Sequence, residues 1–247
     1  MYPATSAGGP EYNKDRMTKM TELYIKKNAK HTALPSLQLQ RLMETNLLNE
    51  TIFDEVCLAD QPTPMGVIGE QGGKAIFETW IDLQYDNIKA VYIYKALLAD
   101  GGATACAKYL RSPVCKHLEH IDLLDNGITA VGAIELGRAL KSNQTLQSLA
   151  LDHNPLDNAG AIALCDNLKY NGFLQRLSLN YCNIGADGGK AIADVLAGKS
   201  SECRIEEMVL QGNALGSEGL VNVVEGLGTN TMLKVCFLDS EVCPPAC

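Results

Sequence analysis

This sequence predicts an α/β solenoid, a stack of strand–turn–helix units sharing one parallel sheet. Three observations predict it. Apolar residues recur in one pattern about every 28 residues, asparagine recurs at the ninth position of that pattern, and glycine recurs at the fifteenth. The copy from Leu118 reads LEHIDLLDNGITAVGAIELGRALKSNQT; the copy from Leu146 reads LQSLALDHNPLDNAGAIALCDNLKYNGF. A third begins at Leu174 with a short extension before Ile205, a fourth at Ile205, and a fifth at Leu233 stops after its strand.

Composition agrees with a folded, soluble chain. Of 247 residues, 46% are hydrophobic and 20% charged, which argues against disorder and against a membrane span. The net charge of −8 lacks the basic footprint that a nucleic-acid partner requires. Nine cysteines without a C-x-x-C pair, and a start without the basic and apolar regions of a signal peptide, point to free thiols in a reducing cytosol. Asn49 and Asn143 are then chance glycosylation sequons.

The elements follow in chain order. Residues 1–13, rich in Gly, Pro and Ser, read as a flexible leader. Residues 14–52 read as a helical N-terminal cap, one helix from Lys14 to Lys30 and a second after Pro35 through Leu48, covering the open apolar end of the array. Residues 53–240 carry about six repeats, and 241–247 form a tail. In the weak first copy, Phe53, Val56 and Leu58 supply the strand. An insertion with Pro62 and Pro64 follows, and Trp80 falls on the core face of the helix. In the next copy Ile88, Val91 and Ile93 hold the strand positions, but Ala96 stands where asparagine is expected, so its turn calls for other chemistry.

Within each full copy the labour divides simply. Positions one, four and six are apolar (Leu118, Ile121, Leu123; Leu146, Leu149, Leu151), and a spacing of two marks a short strand. Position nine is Asn126, Asn154, Cys182 and Asn213, able to satisfy backbone groups in the turn leaving the strand. Position fifteen is Gly132, Gly160, Gly188 and Gly219, where the chain turns or packs closely. Apolar residues at offsets of three and seven then mark one helix face. Cys106, Cys182 and Cys236 read as small buried fillers.

This grammar resembles the leucine-rich repeat proteins of the ribonuclease-inhibitor-like subclass. The resemblance implies a right-handed horseshoe segment with the parallel sheet on the concave face and helices on the convex face. The lead-in TELYIKKNAKHTALPSLQLQRL is also similar to that of centrosomal and ciliary leucine-rich repeat proteins. That likeness implies a cytoplasmic scaffold of the cytoskeleton, cilium or axoneme.

Catalytic signals do not survive inspection. GVIGEQGGKA has Ile68 where a phosphate loop needs glycine and Ala75 where it needs a hydroxyl, and its near-copy at 185–191 explains the glycines as repeat grammar. His117 and His120, near Asp122 and Asp125, fall on opposite strand faces and share no metal. Cys243 and Cys247 in CPPAC are close enough to pair, but two free thiols are the simpler reading. We therefore expect no catalytic residues, no metal and no cofactor.

What remains is the concave face. Its expected partner-binding residues are Tyr92, Tyr94, Lys95, Asp122, Leu124, Asp125, Asp152, His153, Arg176, Asn180 and Tyr181, flanked by Ser178, Val209 and Gln211 among others. Tyrosine and arginine commonly anchor interfaces, and Leu124 reads as an exposed leucine between aspartates. Asp122 and Asp152 read as solvent-facing, part of an acidic centre suited to a basic partner. The expected function is a non-catalytic protein-interaction scaffold. A regulator of a small GTPase is the alternative, because Ran GTPase-activating proteins look similar repeat by repeat, though with more repeats and an acidic tail. Other members of the subclass are inhibitors or immune-type sensors. Pro244 and Pro245 forbid a helix after the last strand, so the sequence also predicts an open edge there and end-to-end contact through it.

Overall fold

A buried residue at the first, fourth and sixth position of every repeat before the last, and a parallel ladder that advances one strand per repeat, define the architecture. The structure is a computed structural model that describes residues 13–59, 68–198 and 202–238. The leader up to residue 12, Pro62 and Pro64, and the tail with Cys243, Pro244, Pro245 and Cys247 lie outside the described residues.

Helix α1 (Lys14–Lys30) starts at Asn13, whose side chain accepts the Arg16 N–H, and α2 (Leu37–Asn49) starts at Ser36, which does the same for Leu39. Met17, Met20 and Tyr24 form the buried stripe of α1. The array then alternates β1 (Glu55–Leu58), α3 (Gly69–Asp82), β2 (Ala90–Ile93), α4 (Ala99–Arg111), β3 (His120–Asp122), α5 (Ala130–Leu140), β4 (Ser148–Ala150), α6 (Asp157–Leu168), β5 (Arg176–Ser178), α7 (Ala186–Leu196), β6 (Glu207–Val209), α8 (Gly216–Thr229) and β7 (Val235–Phe237). The seven strands among the described residues are all parallel and ordered β1 to β7. Helix α1 lies against α3, and α2 lies against α1 and β1.

Register is fixed by the repeat. Val56, Val91, Ile121, Leu149, Leu177, Met208 and Cys236 pair in one row whose side chains point at the helices, so no strand slips without exposing its leucines. Leu118, Leu123, Leu146, Leu151, Leu174 and Leu179 are buried with them, as is Trp80, which packs edge-on against Phe77 and Tyr109.

Lateral hydrogen bonds join neighbouring repeats. Asn126 Oδ1 accepts from Ala96 N–H (3.1 Å) and Leu98 N–H (3.4 Å), while its Nδ2 donates to Ile93 O. Each ladder asparagine thus serves the turn of the preceding repeat as well as its own. This explains how alanine is tolerated at position 96. At position nine of the next repeat but one, Cys182 is not only a filler: its Sγ lies 3.2 Å from Leu151 O as donor. A second ladder, of Asn143, Asn171 and Asn230, closes the helix-to-strand loops. Asn143 Oδ1 accepts from Thr145 and Leu146 N–H, and Asn171 Nδ2 donates to Leu140 O at 2.6 Å. A side chain so buried and engaged is no place for a glycan.

The position-fifteen glycines settle as close-packing residues inside helices. A β-carbon at Gly132 would come within 2.9 Å of Ala103 and 2.7 Å of Ile128. Helix starts are also served laterally. Asp100 of α4 accepts from Thr129 and Gly132 N–H at the start of α5, both at 2.8 Å, and Asn158 accepts from Gly185 and Gly188 at the start of α7.

Candidate protein-interaction surface

The sheet face turned away from the helices is built from positions three and five of each repeat, and the loop beyond the strands adds positions seven and eight. Residues from successive repeats therefore line up in rows. Position five gives Cys57, Tyr92, Asp122, Ala150, Ser178, Val209 and Phe237. Position eight gives Lys95, Asp125, His153, Tyr181 and Gly212.

Position eight has a conformational signature. Its φ is 51° at Lys95, 52° at Asp125, 57° at His153, 53° at Tyr181 and 70° at Gly212. Left-handed backbone costs a residue with a β-carbon roughly 1–2 kcal/mol. Here it turns each N–H onto the next repeat, so that Asp125 donates to Asp152 O (2.9 Å), His153 to Asn180 O and Tyr181 to Gln211 O (both 2.8 Å). The parallel ladder thereby continues past the strand ends, and these bonds offset the strain.

Two rings crown this row. His153 and Tyr181 stack with centroids 4.5 Å apart and planes 14° from parallel. On its far side the Tyr181 ring lies against Gly212, where it leaves no room for a β-carbon. Both residues are exposed, and so is Asp125 beside His153. Arg176 and Lys95 are also exposed, with Arg176 reaching Glu207 at 3.4 Å. At the other end of the face Tyr92 and Tyr94 lie 6.3 Å apart and are half-buried. Burial first, then the nearby Asp122 charge, pushes the Tyr94 hydroxyl up to about 12.

Several expectations need correction. Leu124 is half-buried rather than exposed, and its N–H donates to Asp122 Oδ1 at 3.1 Å. Ser178 and Val209 are buried, so neither presents a surface. Asp122 and Asp152 do not simply face solvent. Asp152 accepts from Ser178 Oγ (2.7 Å) and Asn180 N–H (2.6 Å), tying two repeats together. Burial, helped by the Asp152 charge, raises the Asp122 carboxyl above its ordinary value despite the bond from Leu124. Reversing both to lysine would break these bonds, so that change is no test of binding alone.

Asn180 links the rows as well, its Oδ1 accepting Gln211 N–H at 2.8 Å. Within the expected set, the structure brings Asp125, His153 and Tyr181 together as an exposed group and leaves Tyr92 and Tyr94 as a separate one. On the opposite rim, where helices return to strands, Lys141 Nζ sits 4.5 Å over the Tyr170 ring beside Phe173, in a cleft of about 370 Å³. Sequence reasoning missed it, since only exposed aromatics at 170 and 173 could have signalled it.

Among the described residues no three His, Cys, Asp or Glu side chains converge to hold a metal, and no helix is long and apolar enough to cross a membrane. His117 and His120 are both exposed, with His120 4.0 Å from Glu119. Burial pushes the Cys115 thiol up to about 11 and the Cys165 and Cys182 thiols to about 12, away from nucleophilic thiolates.

A family model for leucine-rich repeats matches residues 114–137, 142–165 and 170–193. No curated protein matches the sequence. Among solved structures, the chain is similar to Leiomodin-1 Actin-Binding Site 2, with 16% identity over 79% of this chain and 90% of that one and a TM-score of 0.44. It is also similar to the tropomodulin C-terminal domain of Caenorhabditis elegans, with 14% identity over 62% of this chain and 92% of that one and a TM-score of 0.49.

Proposed function

We propose that this chain, a leucine-rich repeat protein, is a non-catalytic scaffold that binds a partner protein across its concave face. One observation carries the reading: the exposed His153–Tyr181 stack, held on left-handed backbone beside the exposed carboxylate of Asp125. Nothing in repeat packing requires a bulky ring there. Position eight accepts glycine in the fourth copy, and glycine or asparagine would sit in that conformation at lower cost. Strained, exposed aromatic residues are the kind that clamp a ligand.

The partner presents a basic patch. Asp125, with Asp122 and Asp152 behind it, attracts and steers it, while the rings of Tyr181 and His153 supply the desolvated contact. A cytoskeletal or ciliary setting finds support in the lead-in resemblance over residues 21–42.

The test is recovery of partners from native extract by the full chain and by the double variant Asp125→Lys, Tyr181→Gly. A partner retained by the wild type and lost by a variant of unchanged thermal midpoint is the expected result. Equal recovery by both would place binding elsewhere, and acceleration of GTP hydrolysis by Ran would favour the GTPase-regulator reading.

A further inference from the structure

The two ends of the sheet differ. At the first edge α2 lies against β1, and Gln38 closes it: Nε2 donates to Cys57 O (3.3 Å) and Oε1 accepts from Ala59 N–H (3.2 Å). Among the described residues nothing lies against the outer edge of β7. Val235 N–H bonds to Glu206 O, and Phe237 O accepts from Leu210 N–H, so the alternation of the ladder turns the Cys236 N–H and C=O outward.

The helix layer carries a second, independent sign. Position twenty of each repeat faces the following helix and is buried wherever one follows: Phe77, Ala107, Gly137, Cys165 and Ala193. A β-carbon at Gly137 would come 2.9 Å from Ala163 O of α6, which shows how close that approach is. In the fourth copy, the last with a described helix, the residue is Val224, 53% exposed, with Val221 beside it at 54%. On the sheet side Val235 and Phe237 are exposed as well, and Leu227, Leu233 and Leu238 are only half-buried.

We propose that this end is covered by a second copy of the chain, related by a two-fold axis. An isologous contact needs a surface complementary to itself. Apolar valines meet that need. So does an edge strand, which a two-fold axis sets antiparallel to its copy, so that the Cys236 backbone groups bond reciprocally. Charge selects the same face. Two chains of net charge −8 repel over most of their surface. Here Val221, Val224, Val235 and Phe237 are neutral, Lys234 is neutralised by Glu206 at 2.7 Å, and Glu218 and Glu225 flank the patch on the convex side. Because Gln38 and α2 close the other end, assembly stops at two chains.

Sedimentation velocity of the full chain over a concentration series tests this. The expected mass rises from 26.6 kDa for one chain toward twice that, and stops. Val224→Asp, and separately Val221→Asp, are exposed changes expected to leave the circular dichroism spectrum intact and hold the chain monomeric. Tyr181→Gly should dimerise like the wild type. A wild-type chain that stays monomeric, forms filaments, or dimerises undiminished with aspartate at both positions would overturn the proposal.

Discussion

Asn154 holds the turn of the repeat before its own: its Oδ1 accepts the Asn126 N–H and the Ile128 N–H, each at 3.0 Å, while its Nδ2 donates to Leu123 O and Leu151 O at 2.9 Å. The side chain is fully buried, so water cannot replace it. Asn154→Ala would leave several backbone groups unpaired and should cost roughly 2–5 kcal/mol, at about 1–3 kcal/mol for each buried group left unsatisfied. Urea unfolding measures it, and a loss below ~1 kcal/mol would mean the ladder is ornamental to stability.

Cys182 interrupts that ladder. It offers one weak donor, and Leu156 N–H falls back on Asn154 O within its own turn, at 2.7 Å. Cys182→Asn should restore an acceptor to that turn and gain about 1 kcal/mol, the net value of a buried hydrogen bond. Destabilisation would show instead that the cavity at Cys182 is too small for an amide.

Leu151, at position six, is fully buried between the sheet and the helices. Leu151→Ala should cost about 2–5 kcal/mol. An unchanged unfolding midpoint would contradict the register on which the whole array rests.

The array was legible because its signals are covalent and periodic. Leucines two apart, asparagine at nine and glycine at fifteen fix strand, turn and close helix contact within one copy, and Trp80 is buried on the helix face the pattern assigns it. The lateral bonds were not legible, since they join residues about 28 apart whose side-chain reach no single copy reveals. Alternation places Asp122 on the sheet face of β3 turned from the helices, and Asp152 follows in the turn just past β4. It could not show that Ser178, one repeat on, would engage Asp152, or that Asp122 would bond the backbone of Leu124. The left-handed row at position eight was signalled most plainly by Gly212, since glycine takes that conformation without steric cost.

Asp122 gives a pH signature. Burial, then the charge of Asp152, raises its carboxyl in the folded chain, so the native state binds that proton more tightly than the unfolded state does. Its contribution to stability is therefore greatest below the unfolded value and is lost as pH rises through the folded one. Asp122→Asn removes the charge while keeping an acceptor for Leu124 N–H. It should melt above the wild type at pH 7, with the gap closing as pH falls toward 4. A gap that widens on acidification would reverse the assigned direction.

The concave face itself is tested most directly by photo-crosslinking in native extract. A photoreactive residue replaces the exposed Gln211 or Lys95 on the concave side, or the exposed Arg138 or Lys190 on the helical side. The account predicts one adduct common to positions 95 and 211, absent from 138 and 190, and abolished by Asp125→Lys with Tyr181→Gly. The same protein trapped from positions 138 and 190 but not from 95 and 211 would contradict it, and would move the binding surface to the helices.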